Sequence, residues 1–168
     1  MKTNIKAITT EVNDIPSFLS ESTLSVTIWF TGCIHDCKGC QNPQLQTIDS
    51  SGLDIEFIKD ELEKRRILCD WVVFSGGDPM HDLNEKVVEE LAVFAKGIGY
   101  KTFVYTGYDM VGQVNGVDYV KTGIFVENDG VDEFWLASRN QSIWRIDGLK
   151  KVYWYDKGIV YNKIEKRS

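Results

Sequence analysis

The sequence predicts an α/β domain on a mostly parallel sheet, an open or partial (β/α) barrel, from three observations. Leu24, Val26, Ile28 and Phe30 alternate with Ser25, Thr27 and Trp29, the period of a strand with one buried face. Two further apolar runs, Trp71-Val72-Val73-Phe74 and Thr102-Phe103-Val104-Tyr105, each lead into a turn containing glycine. Between the runs the apolar residues recur at helical spacing, so strand and helix alternate at least twice, the pattern of right-handed βαβ units.

In chain order, Gly32 releases the backbone at the end of the first strand, Leu24 to Phe30. Over residues 54–66, Ile55, Ile58 and Leu62 mark the apolar side of a helix among charged residues. The strand at 71–74 is a continuous buried run that stops at Ser75-Gly76-Gly77. A second helix over 82–96 carries Leu83, Val87, Leu91 and Phe94 on one face and ends at Gly97. Another strand follows at 102–105 and ends at Gly107. Residues 119–126 and 142–146 read as strands, and 153–161 as a hairpin turning at Asp156-Lys157-Gly158. No element is assigned before residue 24. The helices are too few for a complete eight-fold barrel, hence the open or partial form. The expectation is one domain over residues 1–168, with the core motifs at 24–147 and a terminal hairpin at 151–162. In such a sheet ligands collect outside the carboxyl ends of the strands, where the glycine turns fall.

Composition narrows the function. The net charge is −6, and no long lysine or arginine stripe is present, which argues against nucleic acid as a partner. The runs Lys64-Arg65-Arg66 and Lys150-Lys151 read as solvated ends of elements. No apolar stretch is long enough to cross a bilayer, and no basic-then-apolar leader opens the chain, so the expectation is a cytoplasmic protein without a membrane partner. In that reducing compartment clustered cysteines point to metal or redox chemistry rather than to disulfides.

Three of the four cysteines, Cys33, Cys37 and Cys40, stand at Cys-x3-Cys-x2-Cys directly after the first strand. Three adjacent thiolates can hold one metal or cluster, with one ligand fewer than closes an ordinary iron–sulfur or structural zinc site. The open position would let a small molecule bind the metal. The alternative is a zinc knuckle completed by His35 or a distant residue. Cys69, two residues before a buried strand, reads as a small core hydrophobe.

Ser75-Gly76-Gly77-Asp78-Pro79 follows the second strand, and its glycines let backbone approach a ligand closely. Together, the cysteine motif and this turn resemble the radical S-adenosylmethionine (SAM) superfamily. More narrowly, Gly32-Cys33, Gln41-Asn42-Pro43, Tyr105-Thr106-Gly107-Tyr108, Val117-Asp118-Tyr119-Val120-Lys121-Thr122-Gly123 and Trp135-Leu136-Ala137-Ser138-Arg139-Asn140-Gln141 resemble the anaerobic ribonucleoside-triphosphate reductase activating proteins. The resemblance runs from about Trp29 to Ile146. Gly39 stands where many radical SAM proteins place an aromatic residue, and a small residue there suits the activating family. Ala137 replaces that family's glycine in the segment ending Asn140-Gln141.

The resemblance implies a fold of the radical SAM type and a [4Fe–4S] cluster on Cys33, Cys37 and Cys40. It further implies SAM contacts at Gly39, Cys40, Gln41, Gly76, Gly77 and Asp78, with the glycine turn meeting the methionine amino group. Lys121 has the charge to meet the SAM carboxylate, a solvent-exposed place on its strand being the equal alternative. The implied reaction is reductive cleavage of SAM to methionine and a 5′-deoxyadenosyl radical. That radical installs a glycyl radical on the large subunit of the anaerobic reductase, with a flavodoxin or ferredoxin as electron donor and no catalytic acid or base. Two other readings are a small radical SAM enzyme on a free metabolite, such as a 7-carboxy-7-deazaguanine synthase, and a non-catalytic protein-binding module carrying zinc or a cluster.

Overall fold

The computed structural model describes residues 1–127, 135–156 and 159–162. Eight strands form one open sheet in chain order: β1 (Ile5–Val12), β2 (Leu24–Phe30), β3 (Trp71–Gly76), β4 (Lys101–Tyr105), β5 (Tyr119–Thr122), β6 (Ser142–Arg145), β7 (Lys150–Asp156) and β8 (Ile159–Asn162). Helix α1 (Ile55–Arg65) connects β2 to β3, and α2 (Glu85–Gly97) connects β3 to β4. Both are the crossovers that a parallel pair requires.

The expectation of a mostly parallel sheet is corrected. β2 to β5 run parallel, giving three parallel pairings, while the other four pairings are antiparallel. The reason is connection length at the carboxyl-terminal side. Four residues separate β6 from β7, with Gly148 and Leu149 at positive φ, and so short a link can only reverse the chain. The β7–β8 hairpin forms as expected, although 157–158 of its turn lie outside the described residues.

Three further expectations change. β1 was not anticipated; it pairs antiparallel with β2 and forms one edge of the sheet. The strand expected over 119–126 stops at Thr122, because Gly123 turns the backbone to φ +104°. Helix α2 buries Val88, Leu91, Ala92 and Ala95. Leu83 lies before the helix and is exposed, and Val87 and Phe94 only flank the core. Helix α1 is as expected: Asp54 caps it by accepting from the Glu56 N–H, and Ile55, Ile58 and Leu62 are buried.

Alternation along the strands builds two different faces. Val26, Ile28 and Phe30 of β2, Val72 and Phe74 of β3, Val104 of β4 and Val120 of β5 pack with both helices into one aliphatic core, which also takes in Cys69. The opposite face carries Trp71, Val73 and Phe103, joined by Ile143 and Tyr153, and is covered by Ile15, Phe18 and Leu136 from non-helical segments. Among the described residues no helix is long and apolar enough to cross a membrane.

Candidate functional site at the carboxyl ends of the parallel strands

The cysteine loop is fixed at its start by backbone pairing. Gly32 N–H donates to Leu45 C=O at 2.8 Å and Cys33 N–H to Gln46 C=O at 2.9 Å, so the loop lies on the short 3-10 helix Pro43–Leu45. Gly32 sits at φ +101°, and a Cβ there would lie 2.2 Å from the Ile48 side chain. A second turn closes where Cys40 N–H meets Cys37 C=O at 3.2 Å, with Gly39 at φ +74°.

Cys33, Cys37 and Cys40 share the wall of one cavity of about 200 Å³ with Gln41, Gly76 and Gly77. The cavity opens where β2 to β5 end, the edge at which a parallel sheet gathers ligands. Lys121 and Gln141 also line it, whereas Gly39 and Asp78 do not.

Gly76 and Gly77 stitch the end of β3 to the root of the cysteine loop. Gly77 N–H donates to Phe30 C=O at 2.9 Å and Asp78 N–H to Gly32 C=O at 2.7 Å. A Cβ on Gly76, which has φ +112°, would lie 2.5 Å from Phe30 O, and one on Gly77 would lie 2.6 Å from Gly32 O. Backbone packing within the protein already demands both glycines, a nearer requirement than ligand approach.

Asp78 is almost fully buried. Its Oδ1 accepts from Met80 N–H at 2.8 Å and from the Thr106 hydroxyl at 2.8 Å; its Oδ2 accepts from Gly107 N–H at 2.9 Å and lies 2.5 Å from His35 Nε2. The His35 ring also meets Tyr108 edge-on, with centroids 4.7 Å apart. His35 is thus held by Asp78 and Tyr108 on the wall of the cavity that the thiols line.

Lys121 is 9 % exposed, and its ammonium stands 4.3 Å from the centre of the Tyr105 ring. Burial pulls its pKa below the ordinary lysine value, and the charge of Asp14 restores part of the shift. Gln141 is engaged locally, accepting from Ala137 N–H at 2.8 Å and donating to Gly123 C=O at 3.1 Å. Asn140 accepts from the Ser138 hydroxyl at 2.6 Å and donates to Ile124 C=O at 2.8 Å. These two amides therefore staple the segment after β5 to the segment before β6.

Burial raises the pKa of the Cys33 and Cys37 thiols; Cys33 is opposed by the His35 backbone, Cys37 by that of Phe125, and neighbouring negative charges raise both further. Among the described residues no three His, Cys, Asp or Glu side chains are gathered tightly enough to grip a single metal ion. The thiols thus share a cavity without being pinched about one point. A four-iron cluster takes each thiolate on a different iron, and three thiolates leave one iron without a protein ligand. This donor set, in a cavity that also presents backbone and an ammonium, fits a cluster with an open corner and an anionic ligand beside it.

Sequence reasoning missed two parts of the site. Thr106 and Gly107 lie in a noted motif, but their work, binding Asp78, depends on a distant partner. Asn84 falls inside the helix expected over 82–96 but precedes α2, and its buried amide donates to Thr31 C=O at 2.9 Å and Asp78 C=O at 3.0 Å.

The chain is 29% identical over 132 residues to the anaerobic ribonucleoside-triphosphate reductase-activating protein of Escherichia coli strain K12, covering 70% of this chain and 85% of that protein. It is 29% identical over 136 residues to the protein of that name from Haemophilus influenzae, with 71% and 86% covered. For its namesake in Enterobacteria phage T4 the identity is 26% over 142 residues, with 75% and 87% covered. No solved structure matches the chain. The model of the 4Fe-4S single cluster domain matches residues 22–144, a span that holds β2 to β5, both helices and all three cavity cysteines, and it is to this family that the chain belongs.

Proposed function

We propose that this protein is a radical SAM activase of an anaerobic ribonucleoside-triphosphate reductase, with the [4Fe–4S] cluster on Cys33, Cys37 and Cys40. One observation carries the reading: three thiols and the Gly76-Gly77 turn share one cavity at the carboxyl ends of the parallel strands β2 to β5, in a chain similar to proteins named for activating that reductase. When bound, the cluster and SAM supply the chemistry, an electron that cleaves the sulfonium to methionine and a 5′-deoxyadenosyl radical able to take hydrogen from a glycine of the reductase.

The protein's residues hold and shield. Cys33, Cys37 and Cys40 carry the cluster and leave one corner open. The backbone of Gly76 and Gly77 faces the SAM amino group, Cys40 and Gln41 border the cofactor, and Lys121 offers its ammonium to the carboxylate. Burial of that ammonium away from bulk water strengthens the attraction. No side chain is required to move a proton. A flavodoxin or ferredoxin donates the electron, and the reaction belongs in the cytoplasm, where thiolates stay reduced.

The test is anaerobic reconstitution with iron and sulfide, reduction, addition of SAM and quantification of 5′-deoxyadenosine, with and without the reductase. Cleavage with a glycyl radical signal on the reductase is the expected result. Cys33→Ala, Cys37→Ala and Cys40→Ala should each abolish cleavage while Cys69→Ala retains it. Bound zinc with no cluster and no cleavage would overturn the reading.

A further inference from the structure

The side chain of Asp78 has no acceptor capacity left. A carboxylate offers about four lone-pair sites. Here Met80 N–H and the Thr106 hydroxyl occupy Oδ1, while Gly107 N–H and His35 Nε2 occupy Oδ2, and the group is 1 % exposed. It does not line the cavity that holds the thiols. A cationic ligand would have to break these bonds to reach it.

What the carboxylate does reach is the cysteine loop. His35 lies between Cys33 and Cys37, and its ring is enclosed by Asp78, by the edge of Tyr108 and by Gly107, where a Cβ would come within 2.5 Å of the ring. The same aspartate grips Thr106 and Gly107 at the end of β4. Its own main chain is anchored to the start of the loop, directly through Gly32 C=O and through Asn84, which also holds Thr31 C=O. One buried residue therefore links the ends of β2, β3 and β4 to the middle of the thiol-bearing loop.

We propose that Asp78 is a positioning residue, a latch that fixes the cysteine loop through His35, and that it makes no contact with the cofactor. Its importance for the loaded protein rests on the reading that the three thiols hold a cluster. The latch itself is a property of the chain without one.

The first test uses the full-length apo protein, reduced and anaerobic, and reads amide hydrogen exchange over residues 33–40. His35→Ala should raise exchange there by about tenfold or more, the effect of losing one hydrogen bond to a charged group, while β3 and β4 are unchanged. His35→Gln, which keeps a donor, should recover most of the protection. Thr106→Val removes a grip on Asp78 without touching the loop, and should loosen 33–40 in the same direction should His35→Ala fail to fold. After reconstitution, His35→Ala should retain less iron per chain, yet bind SAM with unchanged affinity per cluster.

Wild-type exchange over 33–40 in both His35→Ala and Thr106→Val would overturn the latch. So would an Asp78→Asn protein with full iron and a protected loop that binds SAM ten times more weakly, since that would make Asp78 a ligand contact. A wild-type protein that takes no cluster would defeat the proposed function and leave the exchange comparison readable.

Discussion

The two faces of the sheet are made from alternate residues of the same strands, yet differ in kind. Toward the helices, Val72, Phe74, Val104 and Val120 meet Ile58, Leu62, Leu91 and Ala92 in a close-packed aliphatic core. Away from the helices, the neighbouring positions are Trp71, Phe103, Tyr105 and Lys121, a set with polar atoms that the protein itself leaves incompletely matched. The Tyr105 hydroxyl is buried beside the Asp14 backbone without completing a hydrogen bond, and among the described residues the Lys121 ammonium makes no ion pair. Both faces are packed cores, and the second also buries polar atoms. Removal toward the helices should cost folding, whereas at Tyr105 and Lys121, which line the cavity, it should bear on function.

The largest effect expected is at the helix-covered face. Phe74→Ala should lower the unfolding free energy by about 3–5 kcal/mol in urea titration, because a fully buried ring leaves a cavity. A loss under about 1 kcal/mol would show that this face is loosely packed and would break the contrast. Next comes Tyr100, in the same core, whose hydroxyl donates to Leu62 C=O at 2.6 Å. Tyr100→Phe should cost about 1–2 kcal/mol by the same titration at neutral pH.

The alkaline contributions of Tyr100 and Lys121 should have opposite signs. Burial pushes the Tyr100 pKa up to about 12 from the ordinary 10.0, so its contribution is intact below pH 10 and is lost as pH rises toward 12. Lys121 has a lowered pKa in the fold, so the unfolded chain binds its proton more readily and its charged form opposes folding. That opposition is lifted as pH rises through the ordinary 10.5. Stability measured from pH 7 to 11 should therefore decline less steeply in Tyr100→Phe than in wild type. Lys121→Met should be as stable as wild type or more so at pH 7, should lose the alkaline gain, and should bind SAM more weakly. A Lys121→Met protein destabilised at pH 7 would mean that the ammonium is already satisfied. The smallest effect is at Tyr105: Tyr105→Phe should change stability by less than about 1 kcal/mol, since no hydrogen bond is lost.

The sequence disclosed the helix-covered half most fully. In β2 to β4 and α2, apolar period and glycine stops coincide, and in α1 the apolar period alone suffices, so these elements can be placed to within a few residues. β1 escaped because Ile5-Lys6-Ala7-Ile8-Thr9-Thr10-Glu11-Val12 is an edge strand with only Ile5 fully buried, and a lysine and a glutamate interrupt its pattern. Strand direction left no mark in the period of two, and the antiparallel turns show only in the four-residue link before β7 and the hairpin turn at Asp156-Lys157-Gly158. The site was legible where ligands are adjacent in sequence, as with the three cysteines. It was illegible where saturation decides the role: nothing in Gly-Gly-Asp-Pro reveals that donors from four other residues already surround the aspartate.

Every strand pairs with the one made just before it, from β1 to β8. On a ribosome the sheet can therefore grow by simple addition, each emerging strand finding its neighbour already waiting. The cysteine loop follows β2, whereas Lys121 and Gln141, which help to enclose it, belong to later segments. During synthesis the thiols leave the ribosome before the segments that wall them, so the cavity they share can close only once β5 and the segment before β6 have been made.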